Sequence, residues 1–334
     1  MVRIALAGGT GNVGREVLDG LVAKGSHEII VFSRSDASKL TLPGVETAQV
    51  DYNDQAGLIK HLQGVDTVLS FIVSHLDPDG TAQKNLVDAS IAAGVRRFAP
   101  SEWALGSNSG NPLYKSKDLV HEYLQQINKD KKVLEYCLFQ PGLFLNYLGF
   151  PHASTKHVQL FCTPWDLEHR RAIIPADADF PLTLTTVQDM VNVVVAAIDY
   201  KGVWPEIGGI SGNTFMNSEF LMLAESVRGT VDDPLCAPAA NPSLLPAAGS
   251  MKVEAVPKAQ LKDASFNTSW LPPADHPAIA PEMRVAFAKQ IVAGVLQAAL
   301  KGGFGVSDEW NQLLPGLRMT KADDFLLEIW SGKP

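Results

Sequence analysis

The sequence predicts an α/β protein with a doubly wound parallel sheet and a smaller α/β C-terminal lobe. Three observations lead to this fold class. Over the first 150 residues, short apolar runs alternate with amphipathic stretches at the rhythm of β-α-β units. A glycine-rich turn follows directly on the first apolar run. The 334 residues are 46% hydrophobic and 19% charged, which is ordinary for a globular chain and excludes a disordered or collagen-like one.

Each predicted strand is a short apolar run, and most are followed by a segment with apolar residues at helical spacing. The strands are expected at Val2–Ala7, Glu28–Phe32, Val45–Val50, Thr67–Val73, Arg97–Ala99 and Val133–Phe139. The helices are expected at Val13–Ala23, Gln55–Leu62, Thr81–Ala93 and Tyr114–Ile127. The first, second and fourth strands are almost continuously apolar, as burial on both faces of a parallel sheet requires. Residues 1–150 are therefore predicted to be one domain.

The rhythm changes after residue 150, and residues 151–334 are predicted to form the C-terminal lobe. Short strands are expected at Ala172–Pro175 and Thr183–Thr186, and helices at Val187–Ile198, Asn217–Val227, Pro281–Lys301 and Lys321–Trp330. Residues 231–281 contain nine of the 21 prolines and Ala-Ala pairs, so this insertion should be mostly irregular. It is either a surface insertion or a loop that covers a pocket.

Charge and cysteine content exclude several functions. The 28 Lys and Arg against 36 Asp and Glu give a net charge of −8, and without a basic run no nucleic-acid groove is expected. Cys137, Cys162 and Cys236 form no C-x-x-C pair, which predicts reduced thiols and no structural zinc. No apolar run is expected to span a membrane, and a strand at Val2 leaves no room for a signal peptide. We expect a soluble cytoplasmic protein whose partner is a small molecule, with the oligomeric state left open.

A phosphate-binding turn is predicted where the first strand meets the first helix. The segment from Gly8 to Gly14 reads Gly-Gly-Thr-Gly-Asn-Val-Gly. Gly8 permits the tight turn, Gly11 lets the backbone approach a pyrophosphate, and Gly14 lets helix and strand pack closely. The helix N-terminus adds free N–H groups and a positive dipole. This is the Rossmann pattern for a dinucleotide, and the expected contacts are Gly8, Thr10, Gly11, Asn12, Val13 and Gly14.

The end of the second strand indicates which dinucleotide binds. Ser33-Arg34-Ser35 occupies the position where NAD-binding proteins carry a carboxylate. A guanidinium offers a planar fork to a 2′-phosphate, and Ser33 and Lys39 can assist it. We therefore predict NADP(H) over NAD(H). Asp51, at the end of the third strand, is placed either to meet the adenine ring or to cap a turn.

A second motif opens the fourth helix. No tyrosine is followed by a lysine four residues later, the pair of ordinary short-chain dehydrogenases, but Tyr114-Lys115-Ser116-Lys117 is present. Together with the glycine-rich turn and the segment Gly94–Trp103, this resembles the NmrA-like and isoflavone reductase-like atypical short-chain dehydrogenases. The resemblance covers residues 2–150 well. It continues weakly through the C-terminal lobe, where the Leu314–Phe325 stretch is similar to fungal members.

The resemblance implies roles for this motif. In the reductase branch, an aromatic residue is followed three positions later by a lysine, then by an apolar position and an arginine. Tyr114, Lys117 and Val120 fit, whereas His121 stands where the arginine is usual. Lys117 is then the general acid/base and anchors the nicotinamide ribose, with Tyr114 as a second candidate that either binds substrate or packs on the sheet. A lysine with its free pKa of about 10.4 needs partial desolvation for this role.

Other cleft residues are expected at the carboxyl ends of the strands, where such sheets bind ligands. The candidates near the nicotinamide are Ser70, Phe71, Pro141 and Gly142. The candidates near the substrate are Ser101, Trp103, Phe144 and His75. Trp103 and Phe144 also suit core positions, and a lone loop histidine such as His75 often has no role.

The leading hypothesis is an NADPH-dependent reductase of a small apolar metabolite of secondary metabolism, aromatic or terpenoid-like, with Lys117 as acid/base. The same resemblance leaves one alternative, an NADP(H)-binding redox sensor that regulates protein partners without turnover. A third hypothesis keeps the bound cofactor but is a non-redox isomerase or dehydratase. Lys117 favours the enzyme, because the sensor branch commonly lacks this lysine. Aromatic residues after Leu148, including Phe161 and Trp165, favour an apolar ligand.

Overall fold

The core of the protein is a six-stranded parallel sheet. A computed structural model describes residues 1–35, 40–228, 250–274 and 280–333. The strands are β1 (Arg3–Ala7), β2 (Glu28–Ser33), β3 (Val45–Gln49), β4 (Thr67–Ser70), β5 (Arg97–Ala99) and β6 (Glu135–Tyr136). Their order is β3-β2-β1-β4-β5-β6, and every neighbouring pair is parallel. The doubly wound α/β fold that the sequence predicts is confirmed.

Helices cover both faces of this sheet. They are α1 (Asn12–Lys24), α2 (Gln55–Leu62), α3 (Thr81–Ala92), α4 (Lys115–Asn128) and α5 (Val187–Asp199). On one face α1 packs against α5, and Leu18 and Val194 are fully buried in a shared core. On the other face Leu86 of α3 and Val120 of α4 lie in a second core. Burial on both faces explains why the central strands are apolar throughout.

The predicted strand Val133–Phe139 is divided in two. After β6 and Cys137, the chain continues as β7 (Leu138–Gln140), which pairs in parallel with β12 (Ile207–Gly209). After residue 150 the chain therefore returns to the first 150 residues, where α5 packs on α1 and β12 pairs with β7. The domain boundary at residue 150 stays a prediction, and α5 and β12 are two elements beyond it that pack with the first domain.

Two three-stranded sheets form the second part of the fold, with the orders β14-β10-β9 and β13-β11-β8. Their strands are β8 (Leu143–Phe144), β9 (Trp165–Asp166), β10 (Arg171–Pro175), β11 (Pro181–Thr185), β13 (Asn213–Met216) and β14 (Lys252–Val256). The helices are α6 (Asn217–Val227), α7 (Lys258–Leu261), α8 (Arg284–Leu300), α9 (Glu309–Leu313) and α10 (Ala322–Trp330). Within the predicted insertion 231–281, the described residues 250–274 include β14 and α7. The expectation of irregular chain is corrected at β14, because this segment pairs with β10.

One stretch has the length and hydropathy of a membrane-spanning helix, although no such run was expected. It is Pro281–Leu300, which contains α8, and 39% of its most apolar 18-residue stretch is buried. Val292 and Leu296 of α8 pack with Ile173 of β10 in a common core. Because a core helix passes the same length and hydropathy test, the stretch is weak support for a membrane anchor.

Arg97 ties the edge of the large sheet to the loop after α5. Its side chain is fully buried, and its Nε donates to Glu135 Oε1 at 2.7 Å. Its two terminal nitrogens donate to the carbonyls of Tyr200 at 3.0 Å and Gly202 at 2.6 Å. The guanidinium lies 4.9 Å from the ring centroid of Trp204. A buried cation with this set of partners has its donors largely satisfied.

Arg97→Met should destabilise the protein by about 3–5 kcal/mol, because it removes a fully buried cation and leaves the Glu135 carboxylate, which also accepts from the Trp204 N–H, without its charged partner. The matched control is the neighbouring Arg96→Met, whose side chain is 49% exposed in its ion pair with Asp66. That change should lower the free energy of unfolding by less than about 1 kcal/mol. Urea titration of both variants measures the difference, and equal losses would contradict this account of Arg97.

Candidate active site

The glycine-rich turn lies at the carboxyl end of β1. Gly8 adopts a φ of +79°, and its N–H donates to Phe32 O at 3.0 Å. A Cβ at Gly14 would lie 2.7 Å from the Gly8 carbonyl oxygen, so that position has no room for a side chain. The N-cap of α1, Gly11, makes no side-chain capping bond. The first N–H groups of α1 thus face the cleft beside a backbone that a phosphate can approach closely.

One cavity of about 440 Å³ extends from this turn over the ends of β2 and β3. Of the predicted cofactor residues, it is lined by Gly8, Thr10, Gly11, Ser33, Arg34, Asp51 and Phe71. It also brings in Tyr52, Asn53 and Asp77, which the sequence reasoning missed. Lys39 lies outside the described residues.

The two charged residues predicted for this cavity, Arg34 and Asp51, differ in their hydrogen bonding. Arg34 is exposed, and the Oγ atoms of Ser33 and Ser35 are 3.4 Å apart. The Asp51 carboxylate accepts from the backbone N–H of Asn53 at 2.9 Å and from its amide at 3.2 Å. Asp51 therefore caps a turn, which was the alternative to a contact with adenine. Arg34 is the cation that the described part of this cavity offers to a phosphate.

A second cavity of about 360 Å³ continues from the first, since Gly11, Phe71 and Val73 line both. Of the predicted residues, it is lined by Gly11, Asn12, Val13, Gly14, Phe71, Ser101, Trp103, Tyr114, Lys117, Gly142 and Phe144. The predicted catalytic pair and most predicted substrate residues are thus brought together around one space.

Lys117, on the first turn of α4, is the cation of this second cavity. The residue is 9% exposed, its Nζ donates to the Glu102 carbonyl, and it lies 4.3 Å from the Tyr114 ring centroid. Burial lowers the pKa of Lys117, while the nearby Glu102 charge opposes the shift. The partial desolvation that an acid/base lysine requires is therefore present.

Two neighbouring side chains, Tyr114 and His121, are uncharged at neutral pH. Burial and the Glu102 charge raise the pKa of Tyr114 to about 12, so its hydroxyl stays protonated. His121, which takes the place of the usual arginine, is buried, and its ring lies 6.3 Å from that of Tyr136. Burial lowers the pKa of His121, so the substitution leaves a neutral side chain there. His121 does not line the cavity of Lys117.

Three predicted residues line neither cavity. Ser70 is buried and donates to Gln83 Oε1 at 3.1 Å, and Pro141 is buried beside the cleft. His75 is exposed on a 3₁₀ turn, Ser74–Leu76. The strand-end rule places these residues near the cleft, but it does not say which way a side chain points.

Trp103 has both of the roles that the sequence left open. Its ring stacks between Phe71, at 4.6 Å, and Phe139, at 5.4 Å between centroids. Its indole N–H donates to Ser70 O at 2.7 Å. Trp103 is therefore a core residue that also forms the wall of the second cavity.

The far wall of this cavity comes from the second part of the fold and was largely missed. Phe161 and Trp165 were noted for their aromatic character, and both line it. The residues that no motif indicated include Leu105, Asn111, Tyr147, Thr163, Pro272, Ile291, Val295 and Phe304. An aromatic cluster after Leu148 was the one available signal.

The loop that carries Phe161 and Thr163 is tied to α1. The carboxylate of Glu16, on α1, accepts the backbone N–H groups of Lys156 at 2.9 Å, His157 at 2.7 Å and Val158 at 3.2 Å. One turn further along, the Asp19 carboxylate bonds to the His157 ring at 2.8 Å. The helix that begins at the phosphate-binding turn thus also holds the loop that closes the second cavity.

Glu16→Ala should free this loop, because three backbone N–H groups lose one shared acceptor, at a cost of about 1–3 kcal/mol. Amide hydrogen exchange measured by mass spectrometry should become faster in peptides that cover residues 154–164. The control is Glu122→Ala, an exposed carboxylate on α4. If exchange in these peptides is the same in both variants, Glu16 does not hold the loop.

Comparison with known proteins gives consistent findings. A model of the NmrA-like family matches residues 2–216. Oxidoreductase BOA1 of Botryotinia fuckeliana is 32% identical, and the match covers 69% of this chain and 77% of that protein. Isoflavone reductase homolog IRL of Zea mays is 37% identical, and the match covers 68% of this chain and 74% of that protein. The structure of the NADPH-dependent quinone oxidoreductase QOR2 of Escherichia coli with NADPH matches with a TM-score of 0.65 at 19% identity. That match covers 98% of this chain and 100% of the other, and it shows a shared fold.

Proposed function

The chain belongs to the NmrA-like family, and from that premise we propose that it is an NADPH-dependent oxidoreductase acting on a small apolar metabolite. One observation carries the proposal: the buried amine of Lys117 lies in an aromatic-lined cavity that is continuous with the glycine-rich turn. A cleft for a dinucleotide and a desolvated proton donor are thus adjacent. The names of the relatives, an oxidoreductase and an isoflavone reductase homolog, support the same class of reaction.

The residues present fit NADPH. The backbone from Gly8 to Gly14 would hold the pyrophosphate, since no Cβ fits at Gly14 and the N-terminus of α1 is open to the cleft. Arg34, with Ser33 beside it, would hold the 2′-phosphate. When bound, the nicotinamide supplies a hydride.

Lys117 would supply the proton in this reaction. Its ammonium is held in place by the Glu102 carbonyl and the face of the Tyr114 ring. The surrounding groups therefore need to move little when substrate binds. Because burial lowers its pKa, Lys117 releases a proton more readily than a lysine in water. Lys117 lines the cavity, so its amine would lie beside a bound substrate.

The cavity favours an aromatic or terpenoid-like substrate. Its walls include the rings of Trp103, Phe144, Tyr147 and Phe161, and its volume of about 360 Å³ suits one small ligand. Apolar walls also exclude water, which protects a hydride transfer from side reactions.

Lys117→Ala should lower turnover by roughly 10²–10⁴-fold, the usual contribution of a general acid, with little change in NADPH affinity. The measurement uses NADPH deuterated at C4 on either face, together with a metabolite extract of the source organism. Mass spectrometry then identifies a product that carries one deuterium and gives the mass of the substrate.

The control is Lys115→Ala, which removes an exposed lysine two residues away on the same helix. It should transfer the label as the unchanged protein does. Full turnover in Lys117→Ala would show that this residue is not the acid. Tight NADPH binding with no labelled product in any variant would contradict the reductase and favour the sensor or the non-redox enzyme.

The choice of dinucleotide is tested at Arg34. The unchanged protein should bind NADPH more tightly than NADH, and Arg34→Ala should weaken NADPH binding roughly tenfold to a hundredfold, the value of a charged hydrogen bond. NADH binding should be unaffected, because NADH has no 2′-phosphate. Titration calorimetry measures both, with the exposed Arg96→Ala as the control; equal or tighter binding of NADH to the unchanged protein would refute the prediction.

A further inference from the structure

The side chain of Asn111 is a polar group of the second cavity that the mechanism above does not use. Asn111 is 6% exposed and lines the same space as Lys117. Its Oδ1 accepts the backbone N–H of Leu113 at 3.1 Å, so it caps the 3₁₀ turn Pro112–Tyr114 that leads into α4. Since only an oxygen can accept this bond, the contact also fixes which end of the amide is Nδ2.

The NH₂ group of this amide is left for a ligand. Among the residues that the structure describes, none accepts a hydrogen bond from Asn111 Nδ2. Nor is this nitrogen one of the polar atoms enclosed in the interior without a partner, so it keeps access to the cavity. A donor at such a depth is satisfied by water or by a ligand, and it favours a ligand that carries an acceptor there.

Helix α8 holds the amide at the cavity wall. A Cβ at Gly294 would lie 2.7 Å from Asn111 Oδ1, so the backbone of α8 packs directly on the capping side of the amide. Gly294 shares one face of α8 with Ile291 and Val295, and these two residues line the cavity. The oxygen is therefore enclosed between the turn and α8, and the nitrogen is the end of the amide left to the cavity.

Asn111 differs from the tyrosine hydroxyls of the cavity in being a donor only. Tyr114 and Tyr147 line the same space, and neither hydroxyl forms a hydrogen bond within the described part of the chain. A hydroxyl can donate or accept, so it does not select for either kind of ligand atom. Asn111 can only donate, because its oxygen is already bonded. It precedes Lys117 by six residues, which is about 9 Å along a helix axis, so the cavity has two donors at separate places.

We propose that Asn111 is a specificity-determining residue, which donates a hydrogen bond to an ether or carbonyl oxygen of the substrate remote from the group reduced beside Lys117. The proposal rests on the proposed function, because it takes this cavity as the place where the substrate binds. The substrate class is then an apolar ring compound with two acceptor oxygens at its opposite ends. A compound with only apolar atoms at the second place leaves the N–H groups of Asn111 unpaired, so the site discriminates against it.

The first test measures the binding of two matched probes to the NADP+-saturated protein, without turnover. The probes are 4-phenyl-3-buten-2-one and its para-methoxy derivative, which carries one additional acceptor oxygen at the end of the ring far from the carbonyl group. In titration calorimetry the unchanged protein should bind the methoxy probe about fivefold to tenfold more tightly, the value of one neutral hydrogen bond. Equal affinities for the two probes, or no binding of either, would overturn the proposal.

Asn111→Asp isolates the contribution of the amide nitrogen. Aspartate has the same shape and is an equally good cap for the turn, so the free energy of unfolding in urea should change little. At neutral pH its carboxylate offers no donor to the methoxy oxygen, so the preference for the methoxy probe should disappear. The control is Asn108→Asp, which adds the same charge at an exposed residue that lines neither cavity and should keep the preference. Persistence of the preference in Asn111→Asp would show that Asn111 does not select the ligand.

Turnover of the same probes separates this role from the function on which it rests. With deuterated NADPH, the KM of the unchanged protein should be lower for the methoxy probe, and this difference should vanish in Asn111→Asp. If both probes receive the label with equal KM, the reductase stands and the role of Asn111 is wrong. If the methoxy probe binds more tightly but no label reaches either probe or any metabolite in the extract, the proposed function fails and Asn111 still selects the ligand.

Discussion

Helix α1 (Asn12–Lys24) lies against three other parts of the protein, and each contact restricts the other two. At its start, Gly14 leaves no space between the helix and the Gly8 carbonyl; near its end, a Cβ at Gly20 would lie 2.4 Å from Val191 of α5. Between them, Glu16 holds the loop at residues 156–158. The helix therefore cannot rotate or slide without opening one of these contacts. The phosphate-binding turn, α5 and the loop on the far wall of the Lys117 cavity are consequently all positioned by their contacts with α1.

The sequence was sufficient for the first five strands of the large sheet, because their signals are local. Apolar runs of a few residues, each followed by a helical repeat, predict β1 to β5 nearly at their observed bounds, and the glycine spacing indicates the turn. The register of Tyr114, Lys117 and Val120 is also local, since residues three apart share a helix face. Val120 is fully buried and Lys117 nearly so, as that register requires.

The rest of the site could not be predicted, because it depends on contacts between distant parts of the chain. The bond from Val158 to Glu16 joins residues 142 positions apart, and no spacing rule gives such a pair. Nor does a strand-end rule give side-chain direction, which is why Ser70 and His75 were expected in a cleft that they do not line. Glu102 belongs to the same strand end as the predicted Ser101 and Trp103, but no role was assigned to it. Its carbonyl accepts from Lys117 Nζ, and that contact is a property of the folded chain.

Trp103 connects the packing of the core to the chemistry of the cavity. Its φ of +44° lies in the left-handed region, which is unfavourable by about 1–3 kcal/mol for a bulky residue. Two stacked rings and the bond from its indole N–H to Ser70 O offset that strain. The unusual turn at Trp103 brings the carbonyl of the preceding residue, Glu102, to Lys117 Nζ. The aromatic stack of Phe71, Trp103 and Phe139 thus sets the backbone on which the amine depends. A side chain that packs as core is in this way part of the arrangement that holds the proton donor in place.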